Sequence, residues 1–261
     1  MNAPQPQVLT AREGAVTIVT INRPHARNAL NAQVMTEFAA ALDAAAADDS
    51  VRALVITGAG TAFCAGADIT EIDGIGVDAA LAPDGFPETL FSRLTRFRKP
   101  LVAAVNGLAL GGGCELLLAC DTAIAAESAR IGLPEVTLGL IPGAGGTQRL
   151  IAAVGKAKAM RMLLSGKPIP SGEALAAGMV AEVTPDGQCL PAALALAGQI
   201  AANAPIAVQL ARDAALTSLE VGLAAGLAHE RRNFFLALHT QDRLEGVAAF
   251  IEKRNAAFVG H

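Results

Sequence analysis

The stretch Asn106 to Glu115, NGLALGGGCE, decides how this chain is read. Three consecutive glycines, Gly111 to Gly113, lead into an apolar run that reads as a helix over Cys114 to Ala119. Glycine leaves room for a bound group to reach the backbone. The first N–H groups of such a helix are unpaired and lie at the positive end of its dipole. This stretch therefore reads as an anion or oxyanion site. Glu115 falls in the first turn, where an acid also serves simply to complement the dipole. Upstream, Lys99-Pro100 punctuates the chain before a strand, Leu101 to Val105. Another strand, Thr122 to Ala126, follows the helix. Strand, glycine turn, helix and strand in succession belong to an α/β protein.

Two further segments combine glycine-rich backbone with acids. One is AFCAGADI, Ala62 to Ile69; the other is LPEVTLGLIPGAGGT, Leu133 to Thr147, which carries Glu135 after Pro134. Taken singly, Glu135 reads as a loop acid, and Asp68 and Asp121 as pairing or capping groups. Further out, Val16 to Asn22 and Arg52 to Thr57 read as strands, and Val180 to Val183 as strand-like. Asn31 to Ala47 and Glu88 to Phe97 place apolar residues at helical spacing. Ser171 to Ala177 reads as a short helix with Ser171 as N-cap and Gly178 just past its end. From about Leu190 the pattern is helical. Thr217 and Glu220 have capping-box spacing. Leu219, Leu223 and Leu227, then Phe234, Phe235 and Leu238, then Leu244, Val247 and Ile251 form apolar stripes. We divide the chain into a mixed α/β part over 1–190 and a helical part over 191–261.

Composition removes several function classes. The chain has 261 residues, a net charge of −4, no Trp and no Tyr. Oxidoreductases that need a catalytic Tyr are excluded, and so is recognition by Tyr or Trp stacking. Four His and four Cys, none at ligand spacing, give no expectation of a metal site. The thiols read as reduced, in a cytoplasmic protein. The mild, mixed charge announces neither a nucleic-acid partner nor a membrane surface. The start, MNAPQPQVLT, lacks the regions of a signal peptide. The uncharged stretch Gly187 to Ala211 contains Gln188, Gln199, Asn203 and Gln209, with Pro191 and Pro205, and reads as packed helices. The segment LVITGAG is not a dinucleotide fingerprint, because Phe63 stands where its third glycine belongs. No P-loop, nucleophile-elbow or HExxH motif occurs.

In order along the chain, AFCAGADI, the GGGCE that ends at Glu115, and LPEVTLGLIPGAGGTQRL resemble the enoyl-CoA hydratase/isomerase (crotonase) superfamily. INRPHARNALN, KPLVAAVNGLALGGGCELLLACD and FIEKRNAAF are similar to the same family, so the resemblance covers essentially the whole chain. Within the family it is most similar to bacterial short-chain hydratases, including those of phenylacetate degradation.

The resemblance implies a fold and a chemistry. The fold is a spiral of ββα units followed by a C-terminal helical trimerisation region, with two trimers often stacked into a hexamer. The substrate is an acyl-CoA thioester; CoA belongs to the substrate, and neither cofactor nor metal is implied. The thioester oxygen is held by the N–H groups of Ala67 and Gly112. Glu115 orients and deprotonates a water that adds to C3, and Glu135 delivers a proton to C2. The backbone of Gly143 helps hold the water. Ala26, Ala65, Asp68 and Ile69 match positions whose backbone meets CoA. Lys253 and Phe258 match a stretch that reaches CoA, often across a subunit boundary. The acyl tail is met by the region Glu71 to Phe91. An isomerase of the same fold uses the Glu135-type acid without the Glu115-type one. An RNA-binding relative is disfavoured by the charge.

Overall fold

Over residues 53–132, successive strands are dealt alternately to two sheets. The computed structural model describes residues 5–72 and 90–261. Ten strands are present among them: β1 (Val8–Glu13), β2 (Val16–Ile21), β3 (Ala53–Gly58), β4 (Ala62–Cys64), β5 (Leu101–Val105), β6 (Leu108–Leu110), β7 (Thr122–Ala126), β8 (Arg130–Gly132), β9 (Ile169–Pro170) and β10 (Glu182–Thr184). One sheet has the order β1-β2-β3-β5-β7-β10, the other β4-β6-β8-β9. The first is parallel apart from β1, which pairs antiparallel with β2. In the second, β4, β6 and β8 run parallel and β9 antiparallel. Each of β3, β5 and β7 thus feeds a strand of the other sheet. This is the spiral that the resemblance implies.

The helices follow from the same sequence logic: α1 (Ala32–Ala47), α2 (Ile69–Ile72), α3 (Leu90–Arg96), α4 (Gly112–Ala119), α5 (Gly146–Val154), α6 (Lys156–Ser165), α7 (Ser171–Ala176), α8 (Cys189–Ala201), α9 (Pro205–Thr217), α10 (Leu223–Leu238) and α11 (Gln241–Glu252). α1 starts where Asn31 accepts the Val34 N–H at 2.9 Å, satisfying one orphan donor. It ends where buried Lys99 donates to the carbonyls of Ala45 and Asp48, at 2.8 and 2.7 Å. The Lys99-Pro100 punctuation thereby doubles as a C-terminal clasp.

Every residue of β3 and β5 is buried, which is why both read as unbroken apolar runs. One core lies between the sheets and α1, α3, α4 and α5, and includes Phe38, Leu42, Leu94, Leu116 and Leu150. The second lies under α8. There Cys189, Ala193, Ala197 and Ala201, spaced four apart, face Ala53, Val55, Val102, Ala104, Ile124 and Ala126. Small residues on both surfaces let helix and sheet approach closely, which absorbs part of the alanine surplus.

Several expectations change. The helical pattern does start near residue 190, but α8 still belongs to the sheet's core. Ser171 is not an N-cap: it is the first residue of α7, after Pro170, and its hydroxyl donates to Glu127 O at 2.8 Å. Thr217 opens no helix; it ends α9 and donates back to Asp213 O at 2.8 Å. The last strand is Glu182–Thr184 rather than Val180 to Val183. The strands β6, β8 and β9 escaped the sequence reading, since two- and three-residue strands carry no periodicity, and β1, α5 and α6 escaped it as well; β4 lies in AFCAGADI, which reads as a strand running into a turn. The uncharged stretch after Gly187 breaks into α8 and α9, bent by 108°. No single helix among the described residues is long and apolar enough to cross a membrane. In the stripes of α10 and α11, Leu223, Phe234, Leu244 and Ile251 stand exposed on this chain. Positions 73–89, with most of the Glu71 to Phe91 region and the start of the helix expected from Glu88, lie outside the described residues.

Candidate active site

Strand β6 ends at Leu110, and Gly111 turns the chain at φ 52 into α4. That positive φ is the reason for a glycine there. A Cβ on Gly113 would stand 2.0 Å from Cys64 O, so only glycine lets α4 lie against β4. The helix start is thereby brought to the loop after β4. A Cβ built on Gly112 would stand 3.5 Å from Ala67 N, and one on Gly66 3.6 Å from Gly112 N. The two amides expected to form the oxyanion hole therefore lie on facing loops. Their N–H groups donate to no acceptor among the described residues. Ala67 is fixed by its neighbours: Leu30 N–H donates to Gly66 O at 2.8 Å, and Asp68 N–H to Leu30 O at 2.9 Å.

Glu115 is buried, at 4% exposure. Its Oε1 accepts the N–H groups of Ala144 at 2.7 Å and Gly146 at 2.8 Å. Gly146 is the first residue of α5, so this carboxylate from α4 closes the positive end of a second helix. Glu135 follows Pro134 on a single 3-10 turn, Glu135–Leu138, which Gly139 ends at φ 73. A Cβ on Gly111 would lie 3.2 Å from Glu135 Oε1, so that carboxyl reaches the same glycine turn. Its Oε2 is buried with no hydrogen-bond partner. Burial first, and the nearby charge of Glu115 second, push the Glu135 carboxyl above its ordinary value. The two acids thus share one electrostatic environment beside two idle amides.

Gly143 is exposed, just ahead of the two amides that hold Glu115. Ala26 closes a 3-10 turn, Pro24–Ala26, and Ala65 N–H donates to Arg27 O at 3.0 Å, so these positions adjoin. The Asp68 side chain is occupied: Oδ2 meets Arg23 Nη1 at 3.0 Å, and Oδ1 accepts from Thr70 N–H and its hydroxyl. Thr70 and then Arg23 hold its carboxyl below the ordinary range. Ile69 projects outward at 60% exposure. Lys253 and Phe258 are placed elsewhere. Lys253 ends α11, and Phe258 O accepts from Arg52, which precedes β3, at 2.6 Å. Among the described residues nothing joins either to the two glutamates within one chain.

The sequence reading missed the residues that brace these loops. Asn28 is fully buried at φ 60 and donates to Ala59 O and Ala62 O, at 2.9 and 2.7 Å. Its Oδ1 accepts the Arg23 N–H at 2.9 Å. Asn106 donates to Gly58 O and Gly60 O, at 2.8 and 2.9 Å. The Asn106-Gly107 dipeptide was a readable turn signal; Asn28 had none. No group of three or more His, Cys, Asp or Glu is placed to hold a metal ion among the described residues.

Known proteins resemble this chain in sequence and in fold. Residues 11–261 match the enoyl-CoA hydratase/isomerase family. The chain is 49% identical over 254 residues to the 2,3-dehydroadipyl-CoA hydratase of Escherichia coli K12, covering 97% of this chain and 99% of that protein. It is 47% identical to a probable enoyl-CoA hydratase of Rhizobium meliloti, covering 96% and 97%. A crystal structure of an enoyl-CoA hydratase from Mycobacterium tuberculosis superposes with a TM-score of 0.90 at 35% identity, covering 98% of this chain and 100% of that one. With the match running almost from end to end and a solved relative sharing its fold, the chain belongs to the enoyl-CoA hydratase/isomerase family.

Proposed function

We propose that this enzyme adds water reversibly across the 2,3 double bond of a trans-2-enoyl-CoA, giving a 3-hydroxyacyl-CoA. One observation carries the reading: Glu135 reaches the Gly111 turn that opens the helix bearing Glu115, and the two carboxyls have opposite surroundings. Glu115 has its Oε1 filled by two N–H donors, whereas Glu135 is raised by burial and by Glu115 itself. Carboxyls in surroundings this different divide acid from base. Glu115 takes a proton from the water as its oxygen bonds to C3. The π pair moves onto the thioester oxygen, where the Ala67 and Gly112 N–H groups meet the developing enolate. The enolate collapses by taking a proton from Glu135 at C2, and Glu115 then returns its proton to Glu135. Gly143 backs the water, and the backbone around Ala26, Ala65, Asp68 and Ile69 receives CoA. No metal or separate cofactor enters this scheme.

Lys253 and Phe258 reach CoA in this reading from a neighbouring copy. The exposed stripes of α10 and α11, with Leu223 at 79%, Phe250 at 86% and Ile251 at 73% exposure, support a homo-oligomer, a trimer or a hexamer of two trimers. The four free cysteines, three of them buried, support a reducing, cytoplasmic setting. The relation to a 2,3-dehydroadipyl-CoA hydratase supports a medium-length acyl chain that ends in a carboxylate, as in phenylacetate degradation.

The test is a panel of crotonyl-, hexenoyl- and dehydroadipyl-CoA, assayed for hydration, beside a 3-enoyl-CoA assayed for isomerisation. Hydration outpacing isomerisation is the expected result. The reverse would make this an isomerase and leave Glu115 without a task.

A further inference from the structure

We infer that Arg149 is a positioning residue for Glu115, holding in place the 142–146 loop whose amides grip that carboxylate. The inference rests on the catalytic reading of Glu115. Arg149 lies in the first turn of α5, and its side chain folds back toward the start of its own helix, as helix geometry dictates. Nη1 donates to Ala144 O at 2.9 Å. Nη2 donates to Thr95 Oγ1 at 2.9 Å, and Thr95 donates in turn to Phe91 O at 2.9 Å, so the loop is tied to α3.

Two features make this more than a surface contact. The carbonyl that Arg149 holds belongs to Ala144, between the two N–H donors of Glu115, Ala144 and Gly146. Fixing that peptide fixes the convergence of both amides on Oε1. Further, Gly145 has φ 99, and a Cβ there would lie 2.2 Å from Arg149 Nη1. The guanidinium fills the space a side chain at position 145 would need. The arginine in this place therefore requires a glycine at the left-handed turn. A lysine ammonium cannot reproduce the two-pronged geometry, because its donors radiate from one atom.

The test is steady-state hydration of crotonyl-CoA by R149A, R149K, E115Q and the R149A/E115Q double variant. Displacement of a catalytic group by about 1 Å costs on the order of a hundredfold. R149A is expected to lose about that factor in kcat with KM unchanged. Millimolar guanidinium should restore part of the loss, and R149K should restore less. R149A should cost nothing further in the E115Q background, because both changes disable one unit. Full additivity, or a rise in KM with kcat intact, would overturn the inference. If R149A does not fold, R149M, which keeps the stem but not the guanidinium, should show the same kcat loss; wild-type kcat there overturns the inference. Near-wild-type hydration by E115Q would instead refute the catalytic reading of Glu115, whatever R149A does.

Discussion

Glu115 stands on a helix with one carboxylate oxygen filled by two amides, whereas Glu135 stands on a single 3-10 turn with one buried oxygen that nothing meets. The first is braced from several sides: α4 is pressed onto β4 through Gly113, and the start of α5 is held by Arg149. The second is held by its own turn, where Leu140 N–H donates to Glu135 O at 3.1 Å. The difference teaches how two neighbouring acids can hold separate tasks. Satisfied hydrogen bonds fix one carboxylate as an acceptor. Burial, an orphaned oxygen and a neighbouring charge press the other toward keeping its proton.

The braced side breaks most severely at Gly113. In G113A the new Cβ meets Cys64 O, so α4 must lift from β4, at a cost of about 3 kcal/mol. Thermal unfolding should show a large drop in Tm; an unchanged Tm would mean that close packing of α4 is not what sets Glu115. N28A comes next. It removes buried hydrogen bonds that tie the 23–30 turn to the loop after β3, and should cost about 2 kcal/mol in a denaturant titration.

The strained side predicts the opposite sign. A carboxyl whose folded value is raised destabilises the fold when ionised, and the penalty is absent below its ordinary value. E135Q should therefore raise Tm by roughly 2 °C at pH 8 while abolishing hydration, with the gain vanishing as pH falls into the carboxylate range. A lower Tm at pH 8 would show that Glu135 is not held at a cost. The smallest effect serves as the control. Glu245, on α11, pairs with Arg254 and accepts the Ala257 N–H, and Arg254 first among these holds its carboxyl down at about 2. That clasp is present at neutral pH and is lost only as pH falls toward that value. E245Q should leave kcat unchanged, confining any effect on hydration to KM through the 254–258 stretch it clasps, and shift Tm by about 1 °C or less, as exposed pairs do.

How much of this was legible follows from the physics of each segment. β3 and β5 could be read because strands buried on both faces must be apolar throughout. α1 could be read because its buried residues Val34, Phe38 and Leu42 recur at helical spacing. Of the second sheet, β4 could be read from AFCAGADI, but β6, β8 and β9 could not, because they are too short for any period. Asn106 announced a turn; Asn28 did not, since its value lies in acceptors more than thirty residues away in the chain. The glycines at 111 to 113 announced an oxyanion site, yet no local rule tells that Glu135, twenty residues beyond Glu115, returns to the same turn. Only the resemblance carried that pairing. Arg149 read as part of a motif, but its partner carbonyl depends on a left-handed turn visible only in three dimensions.

Whether these two acids act on one substrate beside the Ala67 and Gly112 amides is tested most directly by crotonyl-CoA hydration in E115Q and E135Q, with CoA-ester binding followed in parallel. Each variant should lose hydration by about a thousandfold or more and still bind the ester. Near-wild-type hydration by both would contradict the shared site.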